Sequence, residues 1–515
     1  MTETSPGADL PGVLPPIAAP PLGYLAAGLG LLLLVHIAAL VLNRTDLYYD
    51  EAQYWAWAQS PAFGYFSKPP LIAWLIAAST HFCGDTEACV RLPSPLIHTA
   101  TALVVYALAA RLYDARTGVL AAFAFALIPG VSLSSGIIST DVGLLFFWAL
   151  ALLAFAALFE TKSWWPALLL GLALGGGLNA KYAMAWFMLC AACYLALTPA
   201  RRTILRDPRL WAAVAIGVAL IMPNLAWNRA HSFATFAHTA ENANWHGIPF
   251  HPLKALEFLG GQLGVFGPFY FGGLLLIANR ARRTSLPEPD RLLLAFSLPL
   301  ISIITAQAFL SRAHANWAAA AYVPGSIVVV ATLARAGSTR WLNASYALHA
   351  ALLAAIVAVT STAGLFRLPI KPDPLSGALS RTLGWHTLAD GVSAELARAR
   401  AIGHPYAAVL TDTRAVTAEL IYYLRGDPTP VLAFRTHGAP HDHFELTRPY
   451  TPASGEPVLL VSLSGAPSPD PNDSGTTSAA GSFAHAHVAL MAPIPAGPAT
   501  VRLVTLVALS GYKQP

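Results

Sequence analysis

Residues 23–43 read GYLAAGLGLLLLVHIAALVLN, a stretch that holds no acidic residue, no Lys and no Arg. About 20 apolar residues in a helix rise far enough to cross the hydrocarbon core of a bilayer, so this stretch predicts a transmembrane helix. Comparable apolar runs recur at 93–111, 118–135, 142–159, 166–180, 182–198, 210–227, 255–278, 292–310, 317–334 and 342–366. The pattern predicts a polytopic, all-α membrane domain with about eleven spanning helices.

The composition of the whole chain agrees with this prediction. Of its 515 residues, 56% are hydrophobic and only 11% are charged, whereas a soluble globular domain has roughly 25% charged residues. These values exclude an ordinary soluble protein, and the long apolar runs exclude a disordered one. The formal net charge of +5 is expected to report membrane topology, so nucleic acid is not expected as a partner.

The basic residues divide unequally between the two sets of connecting loops. With the N-terminus inside, the inside loops hold thirteen Lys and Arg residues and the outside loops hold seven. Because cytoplasmic loops carry the excess of Lys and Arg, this count favours a cytoplasmic N-terminus. An odd number of spans then places the C-terminus outside, which in a bacterium is the periplasmic side of the inner membrane.

Both ends of the chain differ from the membrane region at 23–366. Residues 1–22 are rich in Pro and carry no Lys or Arg, which predicts a disordered tail rather than a signal peptide. Residues 367–515 contain short apolar runs typical of strands and the helical segment TRAVTAELIYYLR (413–425), with Thr413 as N-cap. They predict an extracytoplasmic α/β domain in which PSPDPNDSGTTSAAGS (467–482) is a mobile loop.

Cysteine and histidine offer few candidates for redox or metal chemistry. Cys83 and Cys89 flank a short outside loop, where a bridge could form, whereas Cys190 and Cys193 lie in an apolar run and are expected to pack. The outside loop at 227–261 contains several histidines, but their spacings match no standard zinc pattern. No metal ligand is therefore assigned.

The first outside loop, residues 43–75, reads NRTDLYYDEAQYWAWAQSPAFGYFSKPPLIAWL. It places Asp50 and Glu51 directly after the first span, then an aromatic stretch suited to the headgroup layer, then Lys68 before two prolines. A carboxylate pair and a fixed cation thus share one loop at the depth of the membrane surface. The alternative is that the acids are solvated and that Lys68 extends its ammonium to the interface.

Further isolated charges are predicted on the same side of the membrane. Asp141 starts an otherwise uncharged span, Lys181 lies between two spans, and Arg312 and His314 stand in the segment LSRAHANWAAAAY. Asp141 could simply cap its helix, and the cations could extend to the interface. Charges at the membrane edge are nevertheless costly enough to be candidates for function.

Taken together, these segments resemble the polyprenyl-phosphate-sugar glycosyltransferases of the GT-C fold, the group that contains protein O-mannosyltransferases and bacterial lipid A aminoarabinose transferases. The matching segments follow the family order: YYDEAQYWAWA (48–58), GYFSKPPLIAWL (64–75), STDVGLLFFW (139–148), LNAKYA (178–183) and RAHANWAAAAY (312–322). The resemblance is strongest in the first 190 residues. It implies a membrane enzyme whose donor is a sugar on a lipid phosphate.

The resemblance also implies roles for individual residues. Asp50 would be the base that takes the proton of the acceptor hydroxyl, and Glu51 would orient Asp50 or the acceptor. Asp141 matches the second family acid, which would position substrate or a divalent cation, the one cofactor that the resemblance leaves open. Lys68, Lys181 and Arg312 would hold the lipid phosphate, and Tyr54 and Tyr65 would bind substrate. A single displacement of this kind inverts the anomeric carbon.

Two departures limit what the resemblance implies. The aminoarabinose transferases usually carry an acid before the KPP-type lysine, whereas this chain has Ser67, so a preference for a basic sugar is not expected. The inserted β-trefoil-type domain of the eukaryotic protein O-mannosyltransferases is also absent.

The leading hypothesis for function is an inverting transferase that moves a sugar from a polyprenyl-phosphate carrier to a glycolipid acceptor such as lipid A. One alternative keeps the enzyme class and makes a protein the acceptor. The other is a transporter or flippase of lipid-linked sugars. Transporters carry their charges near the bilayer midplane within repeated halves, whereas these charges are expected at one surface of a chain without an evident repeat.

Overall fold

The computed structural model describes residues 22–243, 250–365, 379–435, 438–464, 479–496 and 501–513. Apart from Leu22, the expected tail at 1–22 lies outside the described residues, and so does most of the expected loop at 467–482. The chain forms a long helical region followed by an α/β region.

Each of the apolar runs contains helix, and the helices that precede residue 366 are numbered here in chain order. They are α1 (Leu22–Leu42), α2 (Tyr49–Ala58), α3 (Leu71–Cys83), α4 (Glu87–Arg91), α5 (Pro93–Leu112), α6 (Ala115–Ala126), α7 (Pro129–Ser134), α8 (Thr140–Leu158), α9 (Trp165–Ala180), α10 (Trp186–Leu197), α11 (Pro208–Ala230), α12 (Ala234–Ala243), α13 (Pro252–Val265), α14 (Pro268–Ala281), α15 (Glu288–Ala295), α16 (Leu298–Leu310), α17 (Tyr322–Arg335) and α18 (Thr339–Ser361). Short 3-10 segments at Tyr182–Ala185, Pro199–Arg206 and Ala315–Ala321 connect some of them.

The number of spans differs from the sequence-based prediction. Among the described residues, seven helices are long and apolar enough to cross a membrane, or eight if the bent pair α13–α14 forms one span. The difference from the predicted eleven lies in shorter apolar helices at Ala115–Ala126, Trp165–Ala180 and Tyr182–Leu197, which fall below the length used for this count. Helix α9 nevertheless returns along α8, because Lys181 at its end pairs with Asp141 at the start of α8.

The predicted span at 255–278 is broken. Helices α13 and α14 meet at an angle of 119°. Gly267 between them has φ +95°, a conformation that favours glycine, and Pro268 starts the second helix. The break follows from these two residues, because neither continues a straight helix.

Close contact between α9 and α11 depends on small residues. Gly171 and Gly175 of α9 face Ile216, Gly217 and Leu220 of α11, and a Cβ at Gly175 would lie 2.5 Å from the Leu220 Cβ. Small residues four apart let two helix backbones approach in a membrane, where water provides no hydrophobic drive for association. This pair supports the helix end that carries Lys181.

The residues described after 378 form the C-terminal domain. Its elements are α19 (Trp385–Ala401), β1 (Ala408–Thr411), α20 (Arg414–Tyr423), β2 (Val431–Ala433), α21 (His443–Thr447), β3 (Val458–Ser464), β4 (Phe483–Pro495) and β5 (Val501–Tyr512). The sheet order is β2-β1-β3-β5-β4, with β1 parallel to β2 and β3, and β5 antiparallel to β3 and β4. The predicted strands, helix and α/β class are confirmed, and Thr413 caps α20 as predicted.

Alternating residues of the sheet face two separate cores. Val409 and Leu459 pack with Leu388 of α19 and Leu420 of α20. Ala408, Leu410 and Leu460 face the other side and pack with aromatic residues that include Tyr450 and Phe483. This alternation follows from the pleat of a strand, which turns successive side chains to opposite faces.

The C-terminal domain docks on the first loop of the membrane region. Trp55 of α2 and Tyr422 of α20 pack edge to face with ring centroids 4.9 Å apart. The backbone N–H of Leu47 donates to the Tyr423 hydroxyl at 2.8 Å, and Asp46 accepts a 2.7 Å bond from the N–H of Trp385 at the start of α19. One continuous apolar cluster therefore joins α2, α3 and α20.

Candidate active site

Glu51 has a structural task at the start of α2. Its side chain is buried, and its Oε2 accepts a hydrogen bond from the Tyr48 N–H at 2.9 Å. A helix leaves its first N–H groups without intrahelical partners, so this bond satisfies one of them. The negative charge is also favoured by the positive end of the helix dipole.

The main partner of Glu51 is Arg91. The Nη2 and Nε of Arg91 lie 2.8 Å and 3.0 Å from the two Glu51 oxygens, and the side chains are only 1% and 2% exposed. Arg91 also donates to the carbonyls of Thr45 and Asp46, and Glu51 accepts a bond from the Ile138 N–H at 2.9 Å. The pair thus fastens α2 to two loops. Both oxygens of Glu51 are thus occupied by structural partners, and its expected role in orienting Asp50 stays a prediction.

Asp50 points to the C-terminal domain. Its Oδ1 accepts a 2.8 Å bond from Nη1 of Arg414, the first residue of α20, and the same Nη1 donates to Gln53 at 2.8 Å. The Asp50 side chain is 35% exposed and that of Arg414 is 22% exposed. Nearby Asp50 raises the pKa of Arg414 against the opposing effect of burial, so the guanidinium stays charged. Asp50 is therefore a solvent-accessible carboxylate with a fixed cation beside it.

Asp141 and Lys181 form a second pair at the same site. Lys181 Nζ lies 2.7 Å from Asp141 Oδ1, and the amide of Asn316 donates to Asp141 Oδ2 at 2.8 Å. These residues come from the start of α8, the end of α9 and the 3-10 segment after α16. The structure thus brings together charges that are far apart in the sequence, and it places Asp141 where it orients Lys181.

Two further cations stand near these pairs without a partner of their own. In the part of the chain that the structure describes, neither the Lys68 ammonium nor the Arg312 guanidinium has a hydrogen-bonded acceptor. Burial lowers the pKa of Lys68, Asp50 and Asp141 oppose that change, and Lys181 and Arg414 add to it. Such cations are suited to an anion that arrives with the substrate.

The charges around the site do not balance. Burial lowers the pKa of His314, and the cations Arg312, Arg381 and Lys181 lower it further. Two of the basic side chains, Lys181 and Arg414, pair with Asp141 and Asp50, whereas Lys68 and Arg312 pair with no acid among the described residues. A further acid near Arg414 is Asp442, whose own pKa is raised by burial to about 6. The two cations without an acid partner fit an anionic ligand.

The two tyrosines predicted to bind substrate pack on the same ring. Tyr54 is buried, and its ring centroid lies 5.2 Å from that of Trp57. Tyr65 stacks on Trp57 with ring centroids 4.6 Å apart, and its hydroxyl donates to the Trp57 carbonyl and accepts from the Ala62 N–H. The contact of either tyrosine with substrate stays a prediction.

A divalent cation does not fit the described residues. No group of three or more His, Cys, Asp or Glu side chains could hold a metal within the described ranges. Both oxygens of Asp141 already bind Lys181 and Asn316. In the histidine-containing loop, His231 stacks on Trp227, while His246 lies outside the described residues.

Comparisons with known proteins decide the family. A family profile described as dolichyl-phosphate-mannose-protein mannosyltransferase matches residues 67–227. The lipid A galacturonosyltransferase RgtD of Rhizobium johnstonii is 36% identical over 416 residues, which cover 79% of this chain and 84% of that protein. The chain belongs to this family of membrane glycosyltransferases.

Two more relatives agree with this conclusion. An undecaprenyl phosphate-α-4-amino-4-deoxy-L-arabinose arabinosyl transferase of Pseudomonas fluorescens is 27% identical over 232 residues, 43% of this chain and 40% of that protein. The crystal structure of ArnT from Cupriavidus metallidurans with undecaprenyl phosphate shares the fold, with a TM-score of 0.66 and 14% identity over 95% of this chain and 98% of that one. The expected GT-C fold and glycosyltransferase activity are confirmed.

Several residues of the glycosyltransferase site were missed in the sequence. Arg91 lies in a predicted outside loop and has no sequence signal of its own, yet it is buried against Glu51. Arg414 lies more than 360 residues from Asp50, so no local spacing could join them. The signal available for Arg414 was its position directly after the predicted cap Thr413, because the first turn of a helix disfavours a cation.

Proposed function

We propose that the glycosyltransferase moves a uronic acid, with galacturonic acid as the first candidate, from polyprenyl phosphate to a lipid A-like glycolipid. The observation that carries this proposal is the excess of cations at the site: Lys181 and Arg414 pair with Asp141 and Asp50, and Lys68 and Arg312 pair with no acid among the described residues. A uronic acid on a lipid phosphate carries two separate negative charges. The relative that covers most of the chain is a lipid A galacturonosyltransferase, which agrees with this donor.

In the proposed reaction, Asp50 is the general base. The acceptor hydroxyl oxygen attacks the anomeric carbon, the bond from that carbon to the phosphate oxygen breaks, and the proton of the hydroxyl moves to Asp50. Asp50 suits this task because it is accessible and because Arg414 holds its carboxylate in one position. The polyprenyl phosphate leaves with its electrons, so one displacement inverts the anomeric configuration.

The cations stabilise the leaving phosphate. Lys68 and Arg312 have no acceptor among the described side chains, so a lipid phosphate would satisfy them without breaking an existing pair. Lys181 is held by Asp141 and Asn316, which fixes its ammonium at the same site. Fixed charges of this kind stabilise the negative charge that develops on the phosphate and need little rearrangement.

We further propose that the site and the C-terminal domain face the periplasm and that the N-terminus is cytoplasmic. The excess of Lys and Arg in the opposite loops supports this orientation. A disulfide joins Cys83 and Cys89 in the segment between α3 and α4, and disulfides persist in the oxidising periplasm. Packing of α20 on α2 keeps the domain and the site on one face of the membrane.

Reconstitution tests the proposed reaction. The full chain in nanodiscs is supplied with lipid A and either polyprenyl-phosphate galacturonic acid or the corresponding 4-amino-4-deoxyarabinose donor. We expect mass spectrometry to show lipid A with one added uronic acid, and NMR to show the anomeric configuration opposite to that of the donor. Transfer of the amino sugar alone would refute the proposed sugar. Transfer to a protein with no transfer to lipid A would refute the proposed acceptor, and retained configuration would refute the single displacement.

A further inference from the structure

Arg414 uses only part of its hydrogen-bonding capacity. Its Nη1 donates to Asp50 and Gln53, both at 2.8 Å. Its Nε and Nη2 have no acceptor among the residues that the structure describes, and the side chain is 22% exposed. The guanidinium also lies over the Tyr49 ring, 5.0 Å from its centroid. Arg414 is thus a cation held in a fixed orientation with one edge of its guanidinium unused.

Two neutral side chains, Gln53 and Ser67, link Arg414 to the segment that carries Lys68. Gln53 accepts from Arg414 and approaches Ser67 Oγ at 3.5 Å, and Ser67 directly precedes Lys68. Gln53 thus bridges Arg414 and the residue before Lys68. A phosphate bound at Lys68 would place its attached sugar within reach of Arg414.

We propose that Arg414 recognises the carboxylate of the donor sugar and so selects a uronic acid over a neutral or amino sugar. This inference rests on the proposed function, because it takes Lys68 as the phosphate contact. The Nε and Nη2 donors match the two oxygens of a carboxylate, the pairing for which arginine is the preferred side chain. Nη1 would stay on Asp50, so the guanidinium would connect the base to the sugar. An amino sugar would bring a second positive charge to this edge.

The Arg414→Gln variant tests the inference through a ratio. We compare two polyprenyl-phosphate donors whose sugars, galacturonic acid and galactose, have the same ring configuration. The two sugars differ only at C6, which is a carboxylate in the first and a hydroxymethyl group in the second. Loss of charge-assisted hydrogen bonds should lower the galacturonic-to-galactose ratio of kcat/KM by roughly 10- to 100-fold. Arg414 also pairs with Asp50, so the rates with both donors fall, but that shared loss cancels in the ratio. Where turnover of galactose is too slow to measure, its inhibition constant against the uronic donor replaces its kcat/KM.

Three matched variants separate this role from others. Lys68→Met should lower activity with both donors by the same factor, because both carry the phosphate. Arg425→Gln removes an exposed cation just beyond α20, where Arg425 donates to the Tyr422 carbonyl, and should leave both activities unchanged. Arg414→Lys keeps the positive charge but loses the paired Nε and Nη2 donors. Its galacturonic-to-galactose ratio of kcat/KM should therefore lie between those of wild type and Arg414→Gln. It also provides a second test if Arg414→Gln does not fold.

The possible results distinguish this inference from the function on which it rests. An unchanged donor ratio in Arg414→Gln and Arg414→Lys, with lower rates for both donors, would mean that Arg414 only supports Asp50 and would overturn the inference. A wild-type chain that uses the galactose or amino-sugar donor but not the uronic donor would overturn the proposed function itself. A ratio that falls in the Arg414 variants and not in Lys68→Met supports the inference.

Discussion

Amide substitution of the neighbouring acids Asp50 and Glu51 should affect different properties: Glu51→Gln should lower stability, and Asp50→Asn should lower activity. Glu51→Gln removes the negative charge that faces Arg91, and both side chains are almost fully buried, at 1% and 2% exposure. Arg91 would keep its bonds to the Thr45 and Asp46 carbonyls but lose its charge partner. Breaking a buried ion pair by removing one partner costs about 3–5 kcal/mol, so the unfolding free energy of Glu51→Gln should fall by that amount.

Asp50→Asn should leave stability nearly unchanged and abolish most activity. Asp50 is 35% exposed, and asparagine can still accept a bond from Arg414. A general base contributes about 10²- to 10⁴-fold in rate, so kcat should fall by that factor while the KM for the donor changes little. The two substitutions differ by one position in the chain, but they act on different quantities.

The assay measures the thermal unfolding midpoint and the kinetics of the same purified samples. Glu257→Gln is the matched control, because Glu257 is an exposed acid that pairs with Lys254 and should affect neither quantity. Glu51→Gln should also be less destabilising in an Arg91→Met background than in the wild type, since the partner charge is already gone. An unchanged midpoint in Glu51→Gln would refute the structural role of the pair. Full activity in Asp50→Asn would transfer the base role to another acid.

The remaining predictions concern the phosphate contact, the helix packing and the topology. Lys68→Ala should raise the donor KM and lower kcat, and the lowered pKa of Lys68 means that its charge is lost at a lower pH than for an ordinary lysine. The donor KM of the wild type should therefore rise on the alkaline side, and Lys68→Arg should move that rise to higher pH; an unchanged profile would contradict the assignment. Gly175→Ala should lower the unfolding midpoint by overpacking against α11, a cost of about 1–3 kcal/mol, whereas Gly260→Ala, with open space around it, should not. A reporter fused after Arg340 should be cytoplasmic and one fused after Pro515 periplasmic. The reverse pattern would place Asp50 on the cytoplasmic side and would refute the proposed orientation.

The sequence predicted those parts of the structure that depend on local pattern. Helices occur in each apolar run because a bilayer requires long uncharged segments, and the strands of the C-terminal domain follow from short apolar runs between turn residues. The helix predicted at 255–278 is interrupted by a break at Gly267 and Pro268. A mean over a window of residues does not detect such a break, although the Gly-Pro pair itself signals one.

The site was predictable only in part, and the reason is also physical. The sequence points to four charged residues of the site, namely Asp50, Asp141, Lys68 and Lys181. A charge beside an apolar segment has a high free-energy cost and is therefore rare, so each of them stands out in the sequence. The partners of these residues were not found, because a long-range pairing leaves no periodicity in the sequence. The difference between Asp50 and Glu51 likewise depends on Arg91, which is 40 residues from Glu51.

Asp50 is held from two sides, and this has a consequence for the C-terminal domain. On one side the Glu51–Arg91 pair fastens the start of α2 to the membrane region, and on the other Arg414 contacts Asp50 directly. The packing of Tyr422 on Trp55 and the bond from Leu47 to Tyr423 make α20 part of the same core as α2. Arg414 is the first residue of α20, so the docking of the domain is what brings this cation to Asp50. Under the proposed mechanism, the C-terminal domain is therefore a component of the active site, and the membrane helices alone would present Asp50 without the cation that orients it.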